Sequence, residues 1–156
     1  MNESLRDRVL RYFCSHNVMT LATMGSGRPW AAAVFYVNDG FTLNFLSAVH
    51  TRHASDMASN SGVAATVQED YGNWRDIKGI QLEGHVTRLL GRESSEAKLR
   101  FETKFFFTRN RDKVPPELQR ALEKVAWYVL IPEKMYFIDN SVAFGHREEV
   151  SLPQFE

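Results

Sequence analysis

The chain has 156 residues, which is the length of one typical domain and enough to bury a hydrophobic core. It carries 19 basic and 19 acidic side chains, and this balance argues against nucleic acid as the main partner, because nucleic acid requires a clustered basic surplus. Cys14 is the only cysteine, so we expect no disulfide within the chain. The N-terminus is charged, and no apolar run approaches the ~20 residues of a membrane helix. We therefore expect a cytoplasmic protein without a membrane partner.

The first part of the chain predicts one helix followed by a series of hairpins. Ser4 and Asp7 form a helix-capping pattern, and this first helix ends near residues 16–17. Strands are predicted over residues 18–23, 30–37 and 41–45, with turn signals at residues 25–27 and 38–40. The strand at 30–37 is almost entirely apolar, which predicts a strand covered on both faces. Thr51 caps a short helix that ends at residues 60–62.

The second part of the chain predicts two more strands, a helical insertion and two final strands. The strands lie at residues 63–68 and 77–90, and the final pair at 127–131 and 134–138. We therefore expect one domain over residues 1–156, mainly β, with six or seven antiparallel strands in a barrel and peripheral helices. Its predicted segments are an N-terminal helix (1–17), barrel strands (18–92) with a short helix at 51–59, a helical insertion (93–125), and final strands and tail (126–147).

The start of the short helix carries the strongest chemical signal. Free backbone N–H groups and the helix dipole make a helix N-terminus an anion site. Thr51 adds a hydroxyl donor. Arg52 adds a permanently charged guanidinium that can form two parallel hydrogen bonds, and His53 adds a donor whose charge increases at lower pH. These residues predict a phosphate site, although on their own they are equally compatible with an ordinary solvated helix cap.

The strand predicted at residues 30–37 contains Ala31, Ala32 and Ala33, which are small for a strand. Small side chains let a flat ring approach the backbone, and close sheet packing or a subunit contact is the alternative explanation. His50 and His53 lack an accompanying carboxylate or cysteine, so no metal site is predicted. Trp74 lies in a polar loop, where it caps a ligand or plugs the barrel rim, and the second role is favoured.

Together these segments resemble the FMN-binding split β-barrel family related to pyridoxamine 5'-phosphate oxidase, in particular its short, uncharacterised bacterial branch. The resemblance covers residues 18–147 and depends on the order and spacing of loose motifs. These motifs are Leu21-Ala22-Thr23, Gly27-Arg28-Pro29, residues 31–36, Asp39-Gly40, Phe45-Leu46-Ser47, Thr51-Arg52-His53, residues 79–84, Asp139-Asn140-Ser141 and Phe144-Gly145.

The resemblance implies a homodimer of split barrels with FMN at the dimer interface. It implies a flavin-dependent oxidoreductase that acts on a small molecule by hydride transfer through the flavin, with no catalytic side chain that the sequence can name. In this chain the implied cofactor-binding residues are Ala32, Ala33, Val34 and Phe35 along the ring, Leu46 and Ser47 at the end of the next strand, and Thr51, Arg52 and His53 at the phosphate.

Several positions depart from the family's pattern. His53 stands where the family often has Lys, and Ala32 and Val37 stand where the true oxidases have Arg and Lys. The oxidases' C-terminal substrate motif is also missing. The resemblance therefore implies an enzyme related to pyridoxamine 5'-phosphate oxidase but with a different substrate.

Two other functions remain open at this point. The same fold could bind a deazaflavin or a haem, and for haem His50, His53 or His146 would be the axial ligand. The chain could also be a non-enzymatic flavin-binding sensor or storage module, which the altered phosphate residues favour.

Overall fold

The computed structural model describes residues 2–105 and 111–155. Residues 106–110, in the middle of the predicted helical insertion, lie outside this described part. The α-helices are α1 (Leu5–Ser15), α2 (Arg52–Ser59), α3 (Gly91–Lys104) and α4 (Pro116–Glu123), and short 3₁₀ helices span Trp74–Asp76 and Arg111–Lys113. The strands are β1 (Val18–Thr23), β2 (Trp30–Asp39), β3 (Thr42–Ala48), β4 (Gly62–Gln68), β5 (Lys78–Leu89), β6 (Val125–Asp139) and β7 (Arg147–Glu149).

Six strands close into an antiparallel barrel. The strands are hydrogen-bonded in the order β3-β2-β1-β4-β5-β6, and pairing of β3 with β6 completes the circle. The additional strand β7 pairs only with the end of β6. This confirms the predicted mainly β split barrel with peripheral helices.

The barrel interior holds the core, and α1 covers one of its two open ends. Met19, Leu21 and Phe45 point inward and are fully buried, as are Val9 and Phe13 of α1. Ser4 caps α1 as predicted, because its side chain accepts a hydrogen bond from the backbone N–H of Asp7. The predicted role of Trp74 as a plug is wrong: its side chain is largely exposed and its ring contacts Phe144.

Lys104 fastens α1 to the barrel from the end of α3. Its ammonium group donates to the backbone carbonyls of Phe13, His16 and Tyr36 at 3.3, 2.5 and 3.2 Å. Two of these carbonyls belong to the C-terminal end of α1, where a positive charge is favourable. Burial lowers the pKa of Lys104 to about 8.

Two strand predictions need correction. The two predicted final strands are one strand, β6, which stays paired with β5 through a register shift at Glu83 and Gly84. Gly84 opposes Pro132 at this shift and allows close approach of the two strands: a Cβ on Gly84 would lie 2.1 Å from the carbonyl oxygen of Ile131. The strand β2 is not covered on both faces, because Ala31 and Ala33 are exposed on its outer side.

No helix in the described ranges is both long enough and apolar enough to span a membrane.

Candidate functional site

The short helix α2 begins directly after β3, at the barrel end opposite α1. Thr51 is its N-cap, and the Thr51 side chain accepts a hydrogen bond from the backbone N–H of Ala54 at 3.3 Å. The same hydroxyl donates to the carbonyl of Ala48, the last residue of β3, at 2.9 Å. This double role fixes the turn between strand and helix, so the N-terminus of α2 is held rigidly against the barrel.

Three of the predicted cofactor-binding residues form one polar cluster at this helix start. The Ser47 hydroxyl lies 2.6 Å from Nε2 of His53 and 3.1 Å from the Thr51 hydroxyl. The Thr51 hydroxyl lies 3.3 Å from the same imidazole nitrogen. Ser47 is buried and His53 is half-buried, so the hydroxyl-imidazole cluster (Ser47, Thr51 and His53) is a preformed set of hydrogen-bonding groups.

Arg52 makes different contacts from this cluster. Its guanidinium carbon lies 4.4 Å from the ring centroid of Trp30, the first residue of β2, in a cation–π arrangement. Its Nε is 4.0 Å from a carboxylate oxygen of Asp56, one helical turn further along α2. The Arg52 side chain is 41% exposed, so its charge faces solvent.

Asp56 and Gly25 hold α2 in place, and sequence reasoning did not identify either residue as part of the site. Asp56 is only 4% exposed, and its carboxylate accepts a hydrogen bond from the Thr23 hydroxyl of β1 at 2.9 Å. Gly25 lets α2 pack directly on the β1–β2 turn, because a Cβ there would lie 2.4 Å from the Cα of Asp56. The signal available in the sequence was the spacing of Arg52 and Asp56, which is one helical turn.

The strand β2 has an open edge beside α2. Its register with β3 covers only residues 36–39, whereas residues 30–35 pair with β1 alone. The Tyr36 N–H points toward β1, where it donates to the Asn17 carbonyl at 3.0 Å. Because N–H and C=O directions alternate along a strand, the backbone groups of Ala31 and Ala33 point to the opposite edge. No strand in the described ranges pairs with that edge at these two residues.

The residues predicted to line a flavin ring lie on two faces of β2. Ala32 and Val34 oppose the buried Leu21 and Met19 of β1, so their side chains point into the barrel. Ala33 is exposed on the outer face, and so is Phe35, whose ring contacts Phe105, the residue that follows α3.

Leu46 lies apart from the cluster. Its side chain packs against a second hydrophobic group outside the barrel, which includes Phe101 and Trp127. Leu46 is therefore adjacent to Ser47 in sequence but points away from the site.

Comparison with known families now identifies the chain's relationship. A family model for pyridoxamine 5'-phosphate oxidase matches residues 5–139, which is most of the chain. The chain belongs to this family. A UPF0306 protein of Photorhabdus laumondii is 30% identical over 139 residues, covering 88% of this chain and 89% of that protein. UPF0306 protein YhbP of Escherichia fergusonii is 28% identical over 141 residues, covering 89% of this chain and 88% of the relative.

Solved structures with the same fold include haem proteins. A heme binding protein from Mycobacterium smegmatis superposes with a TM-score of 0.76 at 17% identity. The match covers 97% of this chain and 59% of that longer protein. HutZ, the heme storage protein of Vibrio cholerae, has a TM-score of 0.68 at 16% identity, over 85% of this chain and 94% of HutZ. At such low identities these likenesses show that the chain shares its fold with these proteins.

Proposed function

We propose that this protein binds FMN and uses it as a flavin-dependent oxidoreductase acting on a small molecule by hydride transfer. The observation that supports this most is one juxtaposition: the hydroxyl-imidazole cluster at the start of α2 lies beside the open edge of β2. The contact between Arg52 and Trp30 connects the start of α2 with β2. The start of α2 offers donors for a phosphate, and the open edge of β2 offers backbone groups for the rim of a flat ring.

The phosphate would lie at the N-terminus of α2. The backbone N–H groups of Arg52 and His53 are the first two of the helix and have no intrahelical acceptor. The Ser47 hydroxyl lies near the same position, and Arg52 would turn from Trp30 to give a charged clamp.

The flavin ring would lie along the open edge of β2. Ala31 and Ala33 present free backbone donors and acceptors there, and their methyl side chains leave room on the outer face for a flat ring. When bound, the flavin supplies the redox chemistry, so the chain itself needs only to bind and orient the ring and the substrate.

A second copy of the chain would complete the site. The outer face of β1 and β2 exposes Val18 together with Ala31 and Ala33, which form an apolar strip beside the proposed ring position. Covering this strip with a partner subunit would remove apolar area from water and exclude solvent from the ring. The proposed assembly is a homodimer with the cofactor at its interface.

Haem is the second candidate cofactor, because two of the proteins with the same fold are named for haem binding or storage. Among the described histidines, His50 is the one without a hydrogen-bond partner, and it is exposed just before α2. His50 is therefore the best placed axial ligand of this chain. Titration with haem would distinguish the two candidate cofactors: a Soret band that His50→Ala abolishes would favour haem over FMN.

Enzymatic turnover is tested with a nicotinamide electron donor. We expect NADH or NADPH, mixed anaerobically with the FMN-loaded protein, to bleach the flavin absorption, and an added acceptor to restore it. If the protein binds FMN but neither donor bleaches it, the oxidoreductase proposal fails and a sensor or storage module remains. The pyridoxamine 5'-phosphate oxidase reaction itself is not expected.

The pH dependence of FMN binding should depend on His53. Burial lowers the pKa of this imidazole below its usual 6.5, although Asp56 partly opposes the shift. A bound phosphate would raise the pKa again, so FMN binding takes up a proton and its affinity falls as pH rises from the pKa of the free imidazole, which lies below 6.5, to the higher pKa of the bound one. Each unit of difference between the free and bound pKa gives about tenfold in affinity.

The matched variant for this measurement is His53→Gln. It keeps a hydrogen-bonding side chain but cannot be charged, and the second ionisation of the phosphate, near about pH 6, acts equally in both proteins. FMN dissociation constants measured across this pH range should therefore fall on a flatter curve for His53→Gln. Equal slopes would show that His53 does not contact the phosphate.

A further inference from the structure

A groove on another side of α2 has the composition of a ligand site. It lies between α2 and the ends of β5 and β6, and its volume of about 410 Å³ is within the usual range for small-molecule pockets. None of its lining residues belongs to the proposed FMN site. They are Val49, Ala54, Ser55, Met57, Ala58, Val86, Arg88 and Tyr128.

Tyr128 places a hydrogen-bonding group in this groove without a protein partner. The residue is only 6% exposed, and its ring stacks on Phe45 with centroids 5.3 Å apart. In the described part of the chain, its hydroxyl makes no hydrogen bond. Burial raises the pKa of the Tyr128 hydroxyl, so it stays protonated and can donate to a ligand.

Arg88 lies beside Tyr128 and supplies the charge. The two residues are register partners on β5 and β6, so their side chains leave the same face of the sheet. Arg88 forms no ion pair with any carboxylate of the described residues, and no acidic residue lines the groove. One unpaired guanidinium next to one free hydroxyl is therefore the polar end of an otherwise mainly apolar groove.

We propose that this groove binds an organic monoanion, namely a carboxylate with an apolar tail. The two parallel N–H donors of the Arg88 guanidinium match the two oxygens of a carboxylate, and the Tyr128 hydroxyl can donate to one of these oxygens. The tail would lie on Val49, Met57 and Val86, which supply apolar contact area. A single cation with one hydroxyl suits a carboxylate better than a phosphate dianion, for which the start of α2 is the richer site.

Titration of the purified protein with octanoate, followed by calorimetry, tests this proposal. We expect saturable binding at one site per chain, and much weaker binding of octanol, which has the same tail without the charge. Arg88→Gln should weaken octanoate binding roughly ten- to a hundredfold, because a charge-assisted pair is lost. Tyr128→Phe keeps the ring stacked on Phe45 and should weaken binding roughly three- to tenfold.

Controls separate this site from others on the protein. Arg92 is an exposed arginine on α3 that does not line the groove, so Arg92→Gln removes the same charge outside the groove and should leave octanoate binding unchanged. The FMN affinity of Arg88→Gln should equal that of the wild type. Absence of octanoate binding, or binding that neither Arg88→Gln nor Tyr128→Phe weakens, would overturn the proposal. A parallel loss of FMN affinity in Arg88→Gln would overturn it as a separate site.

Discussion

Replacing Arg52 with alanine should weaken FMN binding by roughly ten- to a hundredfold, because a charge-assisted hydrogen bond to the phosphate is removed. The fold should tolerate the change. Arg52 is 41% exposed, its distance of 4.0 Å to Asp56 is at the limit of an ion pair, and Asp56 keeps its hydrogen bond from Thr23. Fluorescence titration with FMN, together with thermal unfolding of the same samples, would measure both effects.

Arg92→Ala is the matched control for this substitution. Like Arg52, Arg92 lies four residues before an acidic partner on the same helix, here Glu96, but its side chain is 90% exposed on α3. Its removal changes the net charge by the same amount without touching the site, so FMN affinity should not change. If Arg52→Ala and Arg92→Ala bind FMN equally well, Arg52 does not hold the phosphate.

Replacing Gly25 with alanine should lower the free energy of unfolding by about 1–3 kcal/mol. The added Cβ would lie 2.4 Å from the Cα of Asp56 and 2.7 Å from the Ser59 hydroxyl, so α2 must move away from the barrel. This movement displaces the start of α2, and FMN affinity should fall as well. Chemical denaturation and FMN titration of the same variant would report the two losses.

Gly72→Ala provides the control for the Gly25 substitution. Gly72 is exposed, its φ is not in the left-handed region, and a Cβ there would meet no atom within 4 Å. Its substitution should change the free energy of unfolding by less than about 0.5 kcal/mol. A Gly25→Ala protein as stable as Gly72→Ala would mean that α2 does not pack on the β1–β2 turn as the structure has it.

Local sequence patterns were sufficient to predict the elements that surround the site. Hydroxyl caps at Ser4 and Thr51 predicted the starts of α1 and α2, and both caps are present in the structure. The turn signal before Phe41 and the alternating residues after it predicted the β2–β3 hairpin. These patterns are local, because a cap or a tight turn depends on a few neighbouring residues.

The features that the sequence did not reveal depend on contacts between distant segments. The buried hydrogen bond between Thr23 and Asp56 joins residues 33 positions apart. The open edge of β2 exists because β3 leaves β2 after Phe45 and continues along β6 instead. An apolar run also cannot distinguish a strand covered on both faces within one chain from a strand whose outer face is left for a second copy, and in the single chain the outer face of β2 is exposed.

The inward direction of Ala32 and Val34 has a consequence for cofactor binding. Because these two side chains lie inside the barrel, β2 can offer a ring on its open side only the alternate residues, Ala31 and Ala33. Recognition of the ring would then depend on backbone groups. Riboflavin lacks the phosphate, so the higher affinity for FMN than for riboflavin would come mainly from the start of α2.

A comparison of FMN with riboflavin is the most direct test of the proposed site. The purified, cofactor-free protein is titrated with each flavin in turn, and quenching of flavin fluorescence gives the two dissociation constants and the stoichiometry. We predict saturable binding of one FMN per chain and binding of riboflavin that is weaker by roughly tenfold or more, since riboflavin has no partner for the donors of α2. A protein that takes up neither flavin, or binds both equally well, would contradict the proposal that α2 and β2 together form an FMN site.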